Sequence, residues 1–229
     1  TGIHGTCSTY HTGGSYQKSN HEQVNNTYEI IIMGLSQVIT VRQPHFWRKR
    51  MNGILCADMD NTIIYSYKRN IGENKLNVEL YNGREISFIS EKTHDLLKKV
   101  SEKMTIIPTS TRTEEQYKRI ELDIGIVPYA LVCNGGVLLV NGKRDREWYL
   151  ESLQMIRNSR PEMEKAQQIL AGDSRRKFEL RFLDELFIFT KCEKPEEVVE
   201  DLQAKLTTKL VDVFHNGEKV YVVPVNLSK

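Results

Sequence analysis

With 229 residues, of which 39% are hydrophobic and 27% charged, the chain has the composition of a folded globular protein, long enough for one large domain or two small ones. Its 32 basic and 30 acidic residues leave a net charge of +2, which excludes a general electrostatic pull toward nucleic acid or an anionic membrane. The longest apolar stretch, residues 30–41, is interrupted and too short to span a bilayer.

Residues 1–28 are rich in Thr, Ser, Gly, Asn, Gln and His and read as loop, without the apolar segment of a secretory leader. His4, Cys7 and His11 match no standard metal-ligand spacing. The four cysteines, Cys7, Cys56, Cys133 and Cys192, are scattered, which suits free thiols in a reducing, cytoplasmic setting. Residues 29–41 are expected to form a strand or a short buried helix, the run being too short for periodicity to decide.

From Met51 the text becomes regular. ILCAD (54–58) reads as a strand buried on both faces. LNVELYNGREISFIS reads as a hairpin turning at Asn82 and Gly83. Ser90 can cap a helix that turns Leu96, Leu97 and Val100 inward. Residues 104–108 form a second buried strand, and Thr113 with Gln116 makes a capping box for the next helix. ALVC (130–133) is a third buried strand, closed by Asn134, Gly135 and Gly136. Strand, helix, strand, helix, strand is the signature of a parallel α/β sheet.

The text then changes character. Pro161 and Pro195 can each open a helix, and each helix is followed by a pair of alternating apolar and polar strands. This α-β-β-α-β-β block is expected to be an antiparallel sheet with one face covered by helices, inserted into the first module. Val222 to Val225 again read as a buried strand of that first module.

In an open parallel sheet, ligands bind beyond the carboxyl ends of the strands. Asp58, Ser110 (with Thr109 as a rival) and Asn134 each lie just past such an end. Strand side chains alternate, so Asp58 and Asp60 point to one side with Met59 turned away. Thr62 follows within the turn, and Lys229 can bring a positive charge to the same edge. Two carboxylates this close repel unless something positive sits beside them. Such a pair suits Mg²⁺ with a phosphate: one carboxylate can attack phosphorus, and the other can move a proton to and from the reacting oxygens.

DMDNT (58–62) after a buried strand resembles the D-x-D-x-T signature of the haloacid dehalogenase superfamily of phosphatases. PTSTRT (108–113) is similar to its second motif, CNGG (133–136) to the turn of members with a large cap, and VPVNLSK (223–229) to its third motif. The cap resembles the type found in sucrose-phosphate, mannosyl-phosphoglycerate and trehalose-phosphate phosphatases and in phosphomannomutase. The resemblance implies a Rossmann-like parallel core with an inserted α+β cap. It makes Asp58 the nucleophile and a Mg²⁺ ligand, and Asp60 the acid/base, whose backbone carbonyl is the second metal ligand. Thr62, Ser110 and Lys229 would serve the phosphoryl group, while Asn134 and Arg112 would face the substrate or cap. The expected division is an extension of unknown role over 1–50, a core over 51–142 and 222–229, and a cap over 143–221.

The sequence departs from the family at one place. The acidic motif that follows the lysine has no counterpart up to Lys229. GDSRRK (172–177) imitates its opening but lies inside the cap, and IIIMGLSQ (30–37) has Leu35 where a carboxylate is needed. The core therefore reads as C-terminally truncated, with a continuation past Lys229 expected to carry the missing acidic turn. The expected function is a Mg²⁺-dependent phosphomonoesterase acting on a small soluble phosphate ester, a sugar or polyol phosphate, with no nucleic-acid or membrane partner. A phosphomutase and a non-catalytic protein that keeps the fold stand as alternatives.

Overall fold

The computed structural model describes the backbone of Ile30–Met33 and Val38–Ile39 and the whole of residues 53–227. Two short strands, β1 (Ile30–Met33) and β2 (Val38–Ile39), precede β3 (Ile54–Asp58), the strand that delivers the carboxylate pair. A small antiparallel sheet follows, made of β4 (Tyr65–Ser66), β5 (Lys75–Tyr81) and β6 (Arg84–Ser90). Its hairpin turns at Asn82 and Gly83, both with positive φ (51° and 74°), as a tight two-residue turn requires.

Helix α1 (Glu91–Ser101) starts where Ser90 accepts the Thr93 N–H. It turns His94 and Leu97 into the core but leaves Leu96 exposed, because adjacent residues lie about 100° apart on a helix. Next come β7 (Thr105–Thr109), the single turn α2 (Glu114–Tyr117) with its Thr113–Gln116 capping box, and β8 (Tyr129–Val132), β9 (Val137–Val140) and β10 (Lys143–Arg144).

The main sheet has seven strands in the order β10-β9-β8-β7-β3-β1-β2. β1, β3, β7 and β8 run parallel, and the outer strands are antiparallel. Thus β3 lies between two parallel neighbours, which explains why Leu55, Cys56 and Ala57 are all buried. The extension of unknown role over residues 1–50 contains β1, a strand within the stretch 29–41 that was expected to form a strand or a short helix. Ile30 pairs with Ile54 and Met33 with Ala57, so this segment supplies the strand beside β3.

Helices α3 (Arg146–Met155) and α4 (Arg160–Ala171) lead into the second module. There β11 (Arg181–Leu183), β12 (Phe187–Lys191), β13 (Val211–Asn216) and β14 (Lys219–Pro224) form an antiparallel sheet in the order β11-β12-β14-β13, with α5 (Pro195–Lys205) between β12 and β13. The α-β-β-α-β-β pattern is present, preceded by α3. The expectation that residues 222–225 return to the first sheet is corrected: Val222 pairs with Ile188 and Val213, and Pro224 with Val211. An apolar run reads the same wherever its partners lie, because pairing is set by distant segments.

One core cluster gathers Leu55, Ala57, Met59, Ile63, Ile64, Val78, Ile89, Leu97 and Ile106 around β3. Another joins Val132, Val137 and Leu139 of the main sheet to Phe187, Ile188, Leu202 and Val222 of the second module. Gly136 sits at that junction, where a Cβ would lie 2.5 Å from the Leu186 side chain. The last glycine of CNGG thus permits close approach.

Candidate active site

The β3 strand ends in a tight turn that sorts the three residues of DMD. Met59 is fully buried, and its carbonyl accepts the N–H groups of Thr62, Ile63 and Ile64. Met59 lies in the core, while Asp58 at the end of β3 and Asp60 within the turn are half-buried. Thr62 Oγ1 donates to Asp58 Oδ2 at 2.9 Å, and Asn61 adopts a left-handed conformation (φ 64°) between them.

The neighbouring strand ends are stitched to this turn by backbone hydrogen bonds. Met59 N–H donates to the Thr109 carbonyl at 3.0 Å, and Ser110 N–H to the Leu131 carbonyl at 2.9 Å. Asn134 N–H donates to the Ser110 carbonyl at 3.0 Å, and Cys133 N–H to the Arg112 carbonyl at 2.7 Å. Asp58, Asp60, Thr62, Ser110, Arg112 and Asn134 therefore gather at one edge of the sheet. Lys229 lies outside the described residues, as do His4, Cys7 and His11.

The positive group beside the pair is Arg112. Its guanidinium grips Asp60 with a fork: Nη2 donates to Oδ1 at 2.9 Å and Nε to Oδ2 at 3.0 Å. Ser110, itself buried, donates from Oγ to Asp60 Oδ2 at 3.0 Å and accepts the Arg112 N–H at 3.1 Å. Arg112 was expected to face substrate or cap. It faces Asp60 instead, because the turn after β7 brings its guanidinium back across the strand end. Ser110, expected at the phosphate, directs its hydroxyl hydrogen to the second carboxylate. Asn134, also expected at the substrate, donates from Nδ2 to the Leu227 carbonyl at 2.9 Å and so ties the chain after β14 to the end of β8.

Behind Arg112 stands a residue that sequence reasoning missed. Glu79 has a fully buried side chain between two guanidinium groups: Arg112 Nη1 donates to Oε2 at 2.8 Å and Arg119 Nε to Oε1 at 3.2 Å. Ser87 Oγ donates to Oε2 at 2.6 Å. The β5–β6 pairing shifts register on both sides of Glu79, and that irregularity goes with the inward turn of a side chain that strict alternation would not single out. Burial opposes the charge on Arg112, but hydrogen bonds and attraction from Asp60 and Glu79 outweigh it and leave the pKa above its ordinary value. Cys56 beneath the site is a buried free thiol whose pKa burial pushes up to about 11, so it is inert as a nucleophile at neutral pH.

The arrangement only partly suits Mg²⁺. Among the described residues no group of three His, Cys, Asp or Glu side chains is placed to hold a metal, and the Asp60 carboxylate is engaged by Arg112 and Ser110. Asp58 with the main chain of the turn does not make a complete protein donor set for an ion that demands near-octahedral oxygen geometry.

No family model matches the sequence, and no curated protein matches it. In three dimensions the chain is similar to a sucrose-phosphatase from Synechocystis (15% identity over 57% of this chain and 55% of that one, TM-score 0.42). It is also similar to a truncated IMP-nucleotidase from Plasmodium falciparum (13% identity, 66% and 53%, TM-score 0.44) and to a Thermoplasma acidophilum protein (11% identity, 79% and 68%, TM-score 0.47). The chain spans about half the length of the first two. At these TM-scores the likeness assigns neither activity nor substrate to this chain. No helix among the described residues is long and apolar enough to cross a membrane.

Proposed function

We propose that the chain is a phosphomonoesterase of the haloacid dehalogenase type, working through an aspartyl-phosphate on a small phosphate ester such as a sugar phosphate. The observation that carries this reading is the pair Asp58 and Asp60 at the carboxyl end of a buried parallel strand, with Met59 locked beneath them and Ser110 of the next strand bonded to the second carboxylate. The second module, with its boundary moved to include β14, serves as a cap over this edge.

In the first step an Asp58 oxygen attacks phosphorus, the ester P–O bond breaks, and Asp60 gives a proton to the departing oxygen. In the second, water attacks the phosphorus of the aspartyl-phosphate, Asp60 takes the water's proton, and Asp58 leaves with inorganic phosphate released. Thr62 orients Asp58, while Ser110 and Arg112 orient Asp60. Lys229 is proposed to neutralise the phosphoryl oxygens. Asp58 and the main chain of the turn would hold a Mg²⁺ together with water and the phosphate, and the ion would offset phosphate charge when bound.

The test is to incubate the protein with a labelled phosphate ester, quench in acid and look for an acid-stable, base-labile phosphoprotein. Asp58→Asn should remove both that species and turnover, by about 10⁴-fold or more. Turnover that survives the change rules out Asp58 as nucleophile. The engagement of Asp60 by Arg112 favours one second reading, a non-catalytic anion-binding protein. That reading expects phosphate binding with no labelled intermediate.

A further inference from the structure

The β5–β6 hairpin buries a carboxylate that its apolar residues do not account for. Val78 and Glu79 are adjacent and both buried, although neighbours on a regular strand face opposite sides. The pairing explains how. Asn77 lies opposite Phe88, Glu79 opposite Ser87 and Leu80 opposite Glu85, so Val78 on one strand and Ile86 on the other stand outside the register. Such bulges re-aim the side chains beside them.

The irregular stretch is pinned from several sides. Asn77 Nδ2 donates to the Glu79 and Ser87 carbonyls, both at 3.1 Å. Glu121 N–H donates to the Val78 carbonyl at 2.8 Å, and Glu79 forms an antiparallel bridge with Ile120 after α2. The Glu79 backbone is therefore held on both edges of β5.

Stability alone is a poor reason for this construction. Desolvation offsets much of what a buried ion pair gains, and apolar side chains of similar volume often serve a core as well. The order of burial suggests another reason. The Asp60 side chain is 38% exposed, that of Arg112 16% and that of Glu79 0%. Asp60 thus stands at the open edge, and Glu79 is the end fixed to the frame. A guanidinium is planar, so the bond from Arg112 Nη1 to Glu79 Oε2 at 2.8 Å sets the direction of Nε and Nη2, the nitrogens that grip Asp60. The fork alone would keep Arg112 and Asp60 together while leaving them free to shift as one body.

We infer that Glu79 is a positioning residue for Asp60, acting through Arg112, and that the bulged hairpin is the part of the fold that fixes where the proton-transferring carboxylate stands. Glu79 itself touches neither substrate nor reacting atoms. The inference rests on the phosphatase reading and deepens it, since it assigns the control of Asp60 to a hairpin outside the three strand ends that form the site. Misplacing a reacting group by about 1 Å can cost about 10²-fold in rate, so the anchor matters even though it lies behind the chemistry.

The test uses the full chain with two substrates, p-nitrophenyl phosphate and a hexose monophosphate. Proton delivery matters for the alkoxide leaving group and little for p-nitrophenolate, so the ratio of the two kcat/KM values reads the work of Asp60. Glu79→Gln should lower the hexose-to-aryl ratio by about tenfold or more, through kcat rather than KM. Placed in the Asp60→Asn background it should lower the ratio no further, because the group it positions is already gone. A second variant guards against loss of folding. Glu79→Leu with Arg119→Met replaces one buried ion pair by apolar side chains of similar volume and leaves Arg112 paired with Asp60; the same fall in the ratio is expected. A further readout needs no turnover. Rotation about the Nε–Cζ bond exchanges the two Nη groups of Arg112, and ¹⁵N NMR, with signals assigned by their loss in Arg112→Lys, should show that exchange about tenfold faster in both variants. Equal losses for the two esters, a further fall in the Asp60→Asn background, or an unchanged exchange rate overturns the inference. Faster exchange in the variants of a protein that hydrolyses neither ester overturns the phosphatase reading alone.

Discussion

The two sheets are built on opposite principles. On the main-sheet side every polar group is answered: Asp58 by Thr62, Asp60 by Ser110 and Arg112, Arg112 by Glu79, and Glu79 by Ser87 and Arg119. On the second-sheet side Lys191 and Lys219 are cross-strand neighbours beside the half-buried rings of Phe189 and Tyr221, and no ion pair to either lysine is found among the described residues. The difference is physical: a satisfied buried network holds its groups in one geometry, whereas like charges opposed across a sheet work against it.

The sharpest way to break this contrast is at Asp60. If it moves protons, Asp60→Asn should slow esters with poor leaving groups by about 10²–10⁴-fold while affecting activated aryl esters far less. Equal losses for alkyl and aryl phosphates, compared by kcat/KM, reduce Asp60 to a structural role in the turn.

Glu79→Gln probes the support behind it. Removing one charge from a buried network leaves two guanidinium groups poorly compensated, and the expected loss of stability is about 3–5 kcal/mol. Denaturant unfolding measures it. A loss below about 1 kcal/mol means that water or other groups already share the charge.

Alkaline pH tests both sides together. Burial raises the Cys56 thiol to about 11 and the Tyr117 phenol to about 12, and burial with the Asp60 charge raises Tyr221 to about 12. The folded state therefore holds these protons more tightly than the unfolded chain does. Their contribution is fully present below the unfolded pKa values of 9.0 and 10.0 and is lost as pH rises from there through about 11 to 12. Thermal unfolding should show Tm falling steadily from pH 9. Tyr221→Phe should flatten part of that fall, and an unchanged slope would remove Tyr221 from the explanation.

The smallest effect is expected from Phe214→Leu on the second sheet. It removes one stacked ring, about 0.5–1.5 kcal/mol beyond buried area, from a residue that is already 40% exposed. A loss well above that range would mean that the stack carries more of the sheet's stability than its exposure suggests.

Much of the site was legible in the chain because the signals are local. Ser90, the Thr113–Gln116 box and Asn82–Gly83 act over two to four residues, so their chemistry states their conformation wherever the chain goes. Buried runs ending in Asp58, Ser110 and Asn134 pointed to one shared edge, and backbone hydrogen bonds join those strand ends. What only the tertiary structure decided is who partners whom. β1 supplies the strand beside β3, β14 joins the second sheet, Arg112 turns to Asp60 rather than outward, and an irregular hairpin carries Glu79 into the interior. The physical reason is the same in each case. An apolar strand offers identical hydrogen-bonding edges to any neighbour, and a charged side chain offers the same fork to any carboxylate. The choice among partners is therefore made by the packing of segments far apart in sequence, which no local pattern records.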